Sequence, residues 1–157
     1  MISFVILSII YKDQIILYLV DKTDNPQITI RAHFEGINRH NPTVVRSTLH
    51  ESIVYKNNSY SFDDVEEWKI LSLNKDSIKT QKYLYELKYF QKDRFKSTPY
   101  AVAVCQVKYY LKLKPLDETA IRFDGTLEDI QGYGIWYYYL VKETRSSPWR
   151  IVDHGFI

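Results

Sequence analysis

A chain of 157 residues, 45% hydrophobic and 25% charged, has room for one domain with a sizeable core and too little length for two ordinary domains. That balance excludes a disordered chain, and a net charge of +2 implies no obligatory polyanion partner. The lone Cys105 excludes an intrachain disulfide and a cysteine zinc site, while 15% aromatics, led by fourteen Tyr, argue for half-buried sheet with a concave or contact face.

Met1 to Ile10 is apolar, Tyr11-Lys12-Asp13-Gln14 interrupts, and Ile15 to Val20 is apolar again. Ten residues are too few to span a bilayer, and neither a basic leader nor a small-residue cleavage site is present. Residues 1–25 therefore carry two readings: a β-hairpin turning at Lys12-Asp13, or the remnant of a signal or anchor segment. An ordered, core-covering element is preferred, because Lys and Asp in mid-segment are costly in lipid. Membrane association stays open at this point.

Thr23-Asp24-Asn25-Pro26 has the form of a helix start, a polar cap followed by Pro at the first helical position. Ile30, Phe34 and Ile37 then recur at helical spacing with His33 beside them. Asn38-Arg39-His40-Asn41-Pro42 breaks that helix and opens a short second one with Val44, Val45, Thr48 and Leu49. Residues 52–61 read as a polar connection. Trp68-Lys69-Ile70-Leu71-Ser72-Leu73 alternates as a strand, with Trp68 and Ile70 opposed to Leu71 and Leu73.

Residues 79–96 fit either a basic amphipathic helix (Tyr83, Leu84, Leu87, Phe90) or a strand (Tyr83, Tyr85, Leu87, Tyr89). A long strand follows over 99–114, with Ala101, Ala103, Cys105, Val107, Tyr109, Leu111 and Leu113 on its apolar face and Gln106, Lys108, Tyr110 and Lys112 on its wet face. Residues 115–130 form a loop. Strands 134–141 and 147–156 close the chain as an antiparallel hairpin. Helices first and antiparallel strands after is the α+β pattern.

His33-Phe34-Glu35-Gly36-Ile37-Asn38 with Thr48-Leu49, then Trp68 to Leu73, then Trp149-Arg150-Ile151-Val152-Asp153-x-Gly155 together resemble the nuclear transport factor 2-like superfamily. More narrowly, the chain is similar to an uncharacterised domain family found in lipoproteins of Gram-positive bacteria. The resemblance implies a single domain over 26–157, with N-terminal helices packed on a strongly curved, cone-shaped antiparallel sheet of about four to six strands. It also implies an extracytoplasmic or cell-surface place, whereas the absence of a clear signal peptide is compatible with cytoplasm.

Catalytic patterns are scarce. His33, His40, His50 and His154 show no metal-ligand spacing, the acidic run Asp63-Asp64 with Glu66-Glu67 lacks a calcium-loop pattern, and Gly132-Tyr133-Gly134 is not a phosphate loop. No metal and no cofactor is expected. Six cations against two acids over 79–96 interleave with Tyr and Phe, a composition that could hold nucleic acid, but a solvated helix face is expected instead.

The leading expectation is a non-catalytic binding or interaction module. Its aromatic-lined concave face would take a small apolar ligand or a protein segment, with Tyr109, Trp136, Tyr137, Tyr139 and Trp149 as lining residues. One register step would turn any of these outward. Two rivals stand beside it. One is an isomerase- or dehydratase-type enzyme with His33 as base, for which a core histidine bonded to a tyrosine hydroxyl is the plainer reading. The other is a structural domain that forms a homodimer through the outer sheet face.

Overall fold

The computed structural model describes residues 2–54, 64–91, 94–115 and 130–155. Four helices come first: α1 (Ile2–Lys22), α2 (Pro26–Asn38), α3 (Pro42–Thr48) and α4 (Glu51–Val54). Strand β1 (Val65–Lys75), helix α5 (Ser77–Tyr89) and strands β2 (Ala101–Leu113), β3 (Gly132–Lys142) and β4 (Arg150–Gly155) follow. The strands form one antiparallel sheet in the order β1-β2-β3-β4. The class is α+β, as the order of elements led one to expect. The connection from residue 55 onward and most of the 115–130 loop lie outside the described residues.

Capping chemistry sets the helix starts. Asn25 Oδ1 accepts the Gln27 N–H at 3.0 Å, with Pro26 in the first turn. Asn41 Oδ1 accepts from Thr43 and Val44 at 3.1 and 3.2 Å, ahead of α3. Between them His40 takes the left-handed conformation (φ 49°) that ends α2 and lets the Asn41 N–H reach the Gly36 carbonyl at 2.8 Å. A Cβ on Gly36 would stand only 2.9 Å from Val45 Cγ2, so glycine permits the close crossing of α2 and α3.

The hairpin reading of the N-terminus is overturned: α1 is one continuous helix. Lys12 and Asp13 do not mark a turn, because tertiary partners take up their charges. Lys12 pairs with Glu35 at 3.1 Å, and Asp13 pairs with Arg39 at 2.6 Å and accepts from Asn41 Nδ2 at 2.8 Å. Among the described residues no helix is long and apolar enough to cross a membrane.

One face of the sheet packs on α2 and α3 and holds the main core, in which Ile30, Phe34 and Ile37 meet Trp68, Val107, Leu111, Leu140 and Ile151. Full burial of each such side chain is worth about 1.5–3 kcal/mol. Register shifts in β1 between Val65 and Glu67 and between Ile70 and Ser72 turn Val65, Trp68 and Leu73 to that same face. This corrects the simple alternation expected for 68–73, since Leu73 joins Trp68 and only Leu71 is left outside.

The opposite face is not uniformly wet either. Helix α5 covers one end of it, so Val102, Val104, Val141 and Val152 are buried with Tyr83, Leu87 and Phe95. The ambiguous 79–96 stretch thus begins as a helix, which Asp76 caps by accepting the Lys79 N–H at 2.9 Å. Beyond α5 the face is open, and Lys108 and Lys112 are exposed there.

Gly134 of β3 lies under the ring of the fully buried Tyr109, where any Cβ would overlap the phenol. Trp68 and Trp136 wedge that ring edge-on, each with its centroid 5.8 Å away, so it has nowhere to swing. Gly134→Ala should cost about 1–3 kcal/mol. The measurement is a lower urea midpoint at unchanged slope; an unchanged midpoint would show that the ring can yield.

Candidate functional site: the aromatic cluster between α2 and the sheet

Every second residue of β3 faces α2, which brings Trp136 and Tyr138 together with Tyr109 of β2, Trp68 of β1 and Phe34 of α2. Phe34 and Trp68 have centroids 5.1 Å apart, Trp68 and Trp136 5.3 Å, and Phe34 and Tyr138 5.8 Å. These tilted and edge-on geometries suit aromatic quadrupoles better than face-to-face stacking. At the β4 end the half-buried His154 stacks on Trp136 at 5.0 Å and on Tyr138 at 5.5 Å. The cluster therefore runs unbroken from the helix to the rim of the domain.

The five expected lining residues do not share a surface. Tyr109 and Trp136 belong to the cluster. Trp149 is buried in the same core, and its indole N–H donates to the Asp24 carbonyl at 2.9 Å, which ties the α1–α2 junction to the start of β4. The exposed Asp24 carboxylate also pairs with the buried Lys142 ammonium. Tyr137 and Tyr139 point to the other face. Lys79 sits 4.3 Å over the Tyr137 ring, and Tyr83 packs edge-on to Tyr139 at 4.9 Å. The strand period separates the two sets.

His33 is buried against Tyr138, with centroids 6.1 Å apart. Its Nδ1 lies 2.8 Å from Thr48 Oγ1, and the Thr48 hydroxyl already donates to the Val45 carbonyl at 2.6 Å. Thr48 must then accept, so Nδ1 carries the proton. Burial drives the His33 pKa down to about 3, and neighbouring His154 adds to the effect. A histidine so depressed is neutral at physiological pH and a poor general base. The hydroxyl that satisfies it is threonine rather than tyrosine. Burial likewise lowers the pKa of His154 and raises that of Tyr109.

Phe34, Trp68, Tyr138 and His154 belong to this cluster without having been marked as lining residues. His154 follows the register signal, because Tyr138 and His154 are paired across β3 and β4. The Trp68 indole N–H is buried with no hydrogen-bond partner among the described residues, a donor left unmatched in an apolar setting.

Two clefts elsewhere are lined by described residues. One of about 330 Å³ lies between Leu87–Gln91 and Phe95–Pro99. The other, about 290 Å³, is lined by His50, Glu143, Ser147 and Arg150. His50 Nδ1 accepts the Ser52 N–H at 3.1 Å, capping α4, and Nε2 stands 3.4 Å from Glu143. Neither cleft contains an expected lining residue. Cys105 is buried and its pKa is pushed up to about 11 by burial, which leaves an unreactive thiol.

Residues 27–155 match the family described as Domain of unknown function (DUF4829). The chain belongs to this family. No curated protein and no solved structure matches it. The DUF4829 span begins within α2 and ends with β4, so it takes in every residue of the aromatic cluster.

The low pKa of His33 has a consequence for stability. In the unfolded chain the imidazole titrates near 6.5, in the folded chain near 3, so only the unfolded state gains the proton between those values. The stability tied to its neutral form is complete above pH 6.5 and declines as pH falls toward 3, at up to about 1.4 kcal/mol per pH unit. Urea midpoints should drop between pH 7.5 and 5.0, and less steeply in His33→Gln. Equal slopes for both proteins would assign the loss to other groups.

Proposed function

We propose that this domain is a non-catalytic binding module that takes a flat apolar ligand, or an apolar protein segment, at the His154–Trp136 edge of the aromatic cluster. The observation that carries the reading is the continuity of stacked and edge-on rings from buried Phe34 and Trp68 out to half-buried His154. The reading takes the sheet as cone-shaped in the nuclear transport factor 2-like manner. Bulges in β1 and β4 support this, because an extra residue bends a strand. Neutral His33 favours binding over the enzyme reading.

Intrinsic fluorescence provides the test, with submicellar fatty acids, a sterol and peptidoglycan fragments as titrants. A saturable shift in tryptophan emission is expected, weakened about tenfold, or about 1.4 kcal/mol, in His154→Ala. Loss of the signal in Trp136→Phe would place the reporter at the edge. No shift with any titrant, or one unchanged in both variants, would remove the proposal.

A second reading, self-association through the open half of the other sheet face, has its own support. Tyr133 is 81% exposed and Ile135 42%, and Tyr110 packs on Tyr133 at 5.0 Å. Light scattering across a concentration series should then show a dimer that Ile135→Lys returns to monomer. A wild-type monomer at every concentration would end this reading.

A further inference from the structure

Helix α1 is apolar on two opposite sides, and the domain uses one of them. Asp13, Ile16, Leu17 and Val20 are at least partly buried, with Val20 fully so. The other side shows Tyr11 at 67% exposure, Ile15 at 49%, Tyr18 at 64% and Leu19 at 46%. Spaced i, i+4, i+7 and i+8, these four form a single stripe. Nothing among the described residues covers them.

We infer that this stripe seats α1 along the interface of a lipid bilayer. Three features favour lipid over a second protein surface. First, the sequence from Ile2 to Ile10 is apolar at all positions but Ser3 and Ser8. A run of that composition favours lipid, which accepts apolar residues in any order along a chain, where a protein partner must match a particular face.

Second, that run and the stripe belong to one continuous helix, so the two can enter the same apolar layer together. Third, Tyr11 and Tyr18 carry amphipathic rings of the kind enriched where lipid headgroups meet acyl chains.

The charges of the helix do not oppose this placement. Lys12 is held by Glu35, Asp13 by Arg39 and Asn41, and Asp21 by Arg150 at 2.8 Å. Lys22 at the last turn is exposed and can reach toward headgroups along its aliphatic stem. Attraction through the apolar stripe predicts weak dependence on salt, in contrast to a polybasic surface.

The full-length protein should sediment with vesicles of phosphatidylcholine, and with vesicles of phosphatidylcholine and phosphatidylglycerol at 3:1. Raising sodium chloride from 0.1 to 0.5 M should change neither result more than about twofold. The double variant Ile15→Glu, Leu19→Glu should bind at least about tenfold more weakly, while its urea midpoint stays near that of wild type because both side chains are exposed.

Four results would overturn the inference. One is no sedimentation of wild type; another is equal binding by the variant. The third is a wild-type dimer in vesicle-free buffer that the same variant makes monomeric, which would assign the stripe to a second copy. Binding that vanishes at 0.5 M salt would also reject it in favour of a cationic surface. The variant His154→Ala, which alters the proposed ligand edge, should sediment as wild type does.

Discussion

The side-chain amide of Asn38 pairs with the main chain of Trp68 as a neighbouring strand would: Asn38 Nδ2 donates to the Trp68 carbonyl at 2.8 Å, and Trp68 N–H donates to Asn38 Oδ1 at 2.6 Å. One side chain at the end of α2 thereby sets both the height and the angle of the helix over β1. Gln27, at the other end of α2, donates to the Leu73 carbonyl at 3.3 Å. With the helix pinned at two points, Phe34 falls against Trp68 and Tyr138, and Gly36 falls where α3 must cross. A hydrophobic face alone could slide by a turn at little cost; two directional amide contacts cannot.

Local chemistry made much of the fold legible. Asn25-Pro26 and Asn41-Pro42 announce helix starts through capping groups that act within three residues. The long alternation of β2 needs only its own period. What failed were features settled by partners far along the chain. Lys12 and Asp13 resemble a turn until Glu35, Arg39 and Asn41 arrive, and the segment also lacks the Gly or Asn-Gly that a tight hairpin requires. The inward Leu73 depends on a bulge that no local residue advertises. For α5 a local signal did exist in the Asp76 cap, which outweighs an even split between the two periodicities.

Legibility of the candidate site was lower, and the cause is geometric. Tyr137 and Tyr139 look like Trp136 and Tyr138 in composition, and only the pairing of β3 with β2 decides which pair meets α2. Once Tyr109 is known to face the core, the register opposite Gly134 assigns the whole strand. His33 was readable as a buried histidine from its helical face, yet its partner Thr48 sits on another helix. His154 is hard to read from sequence because its role comes from stacking across two strands rather than from its proton chemistry.

The two outermost strands have polar main-chain groups engaged by other parts of the chain. On β1 the groups of Trp68 and Leu73 are taken by Asn38 and Gln27. On β4 the Ile151 carbonyl accepts from the His50 N–H at 2.8 Å and the Val152 carbonyl from Arg94 at 2.7 Å. A foreign strand therefore finds those positions already occupied, and templated growth of the sheet from chain to chain is blocked there. A peptide that seeks this domain cannot dock there by strand addition without first displacing those contacts, so recognition is directed to side-chain surfaces and to the faces of the sheet.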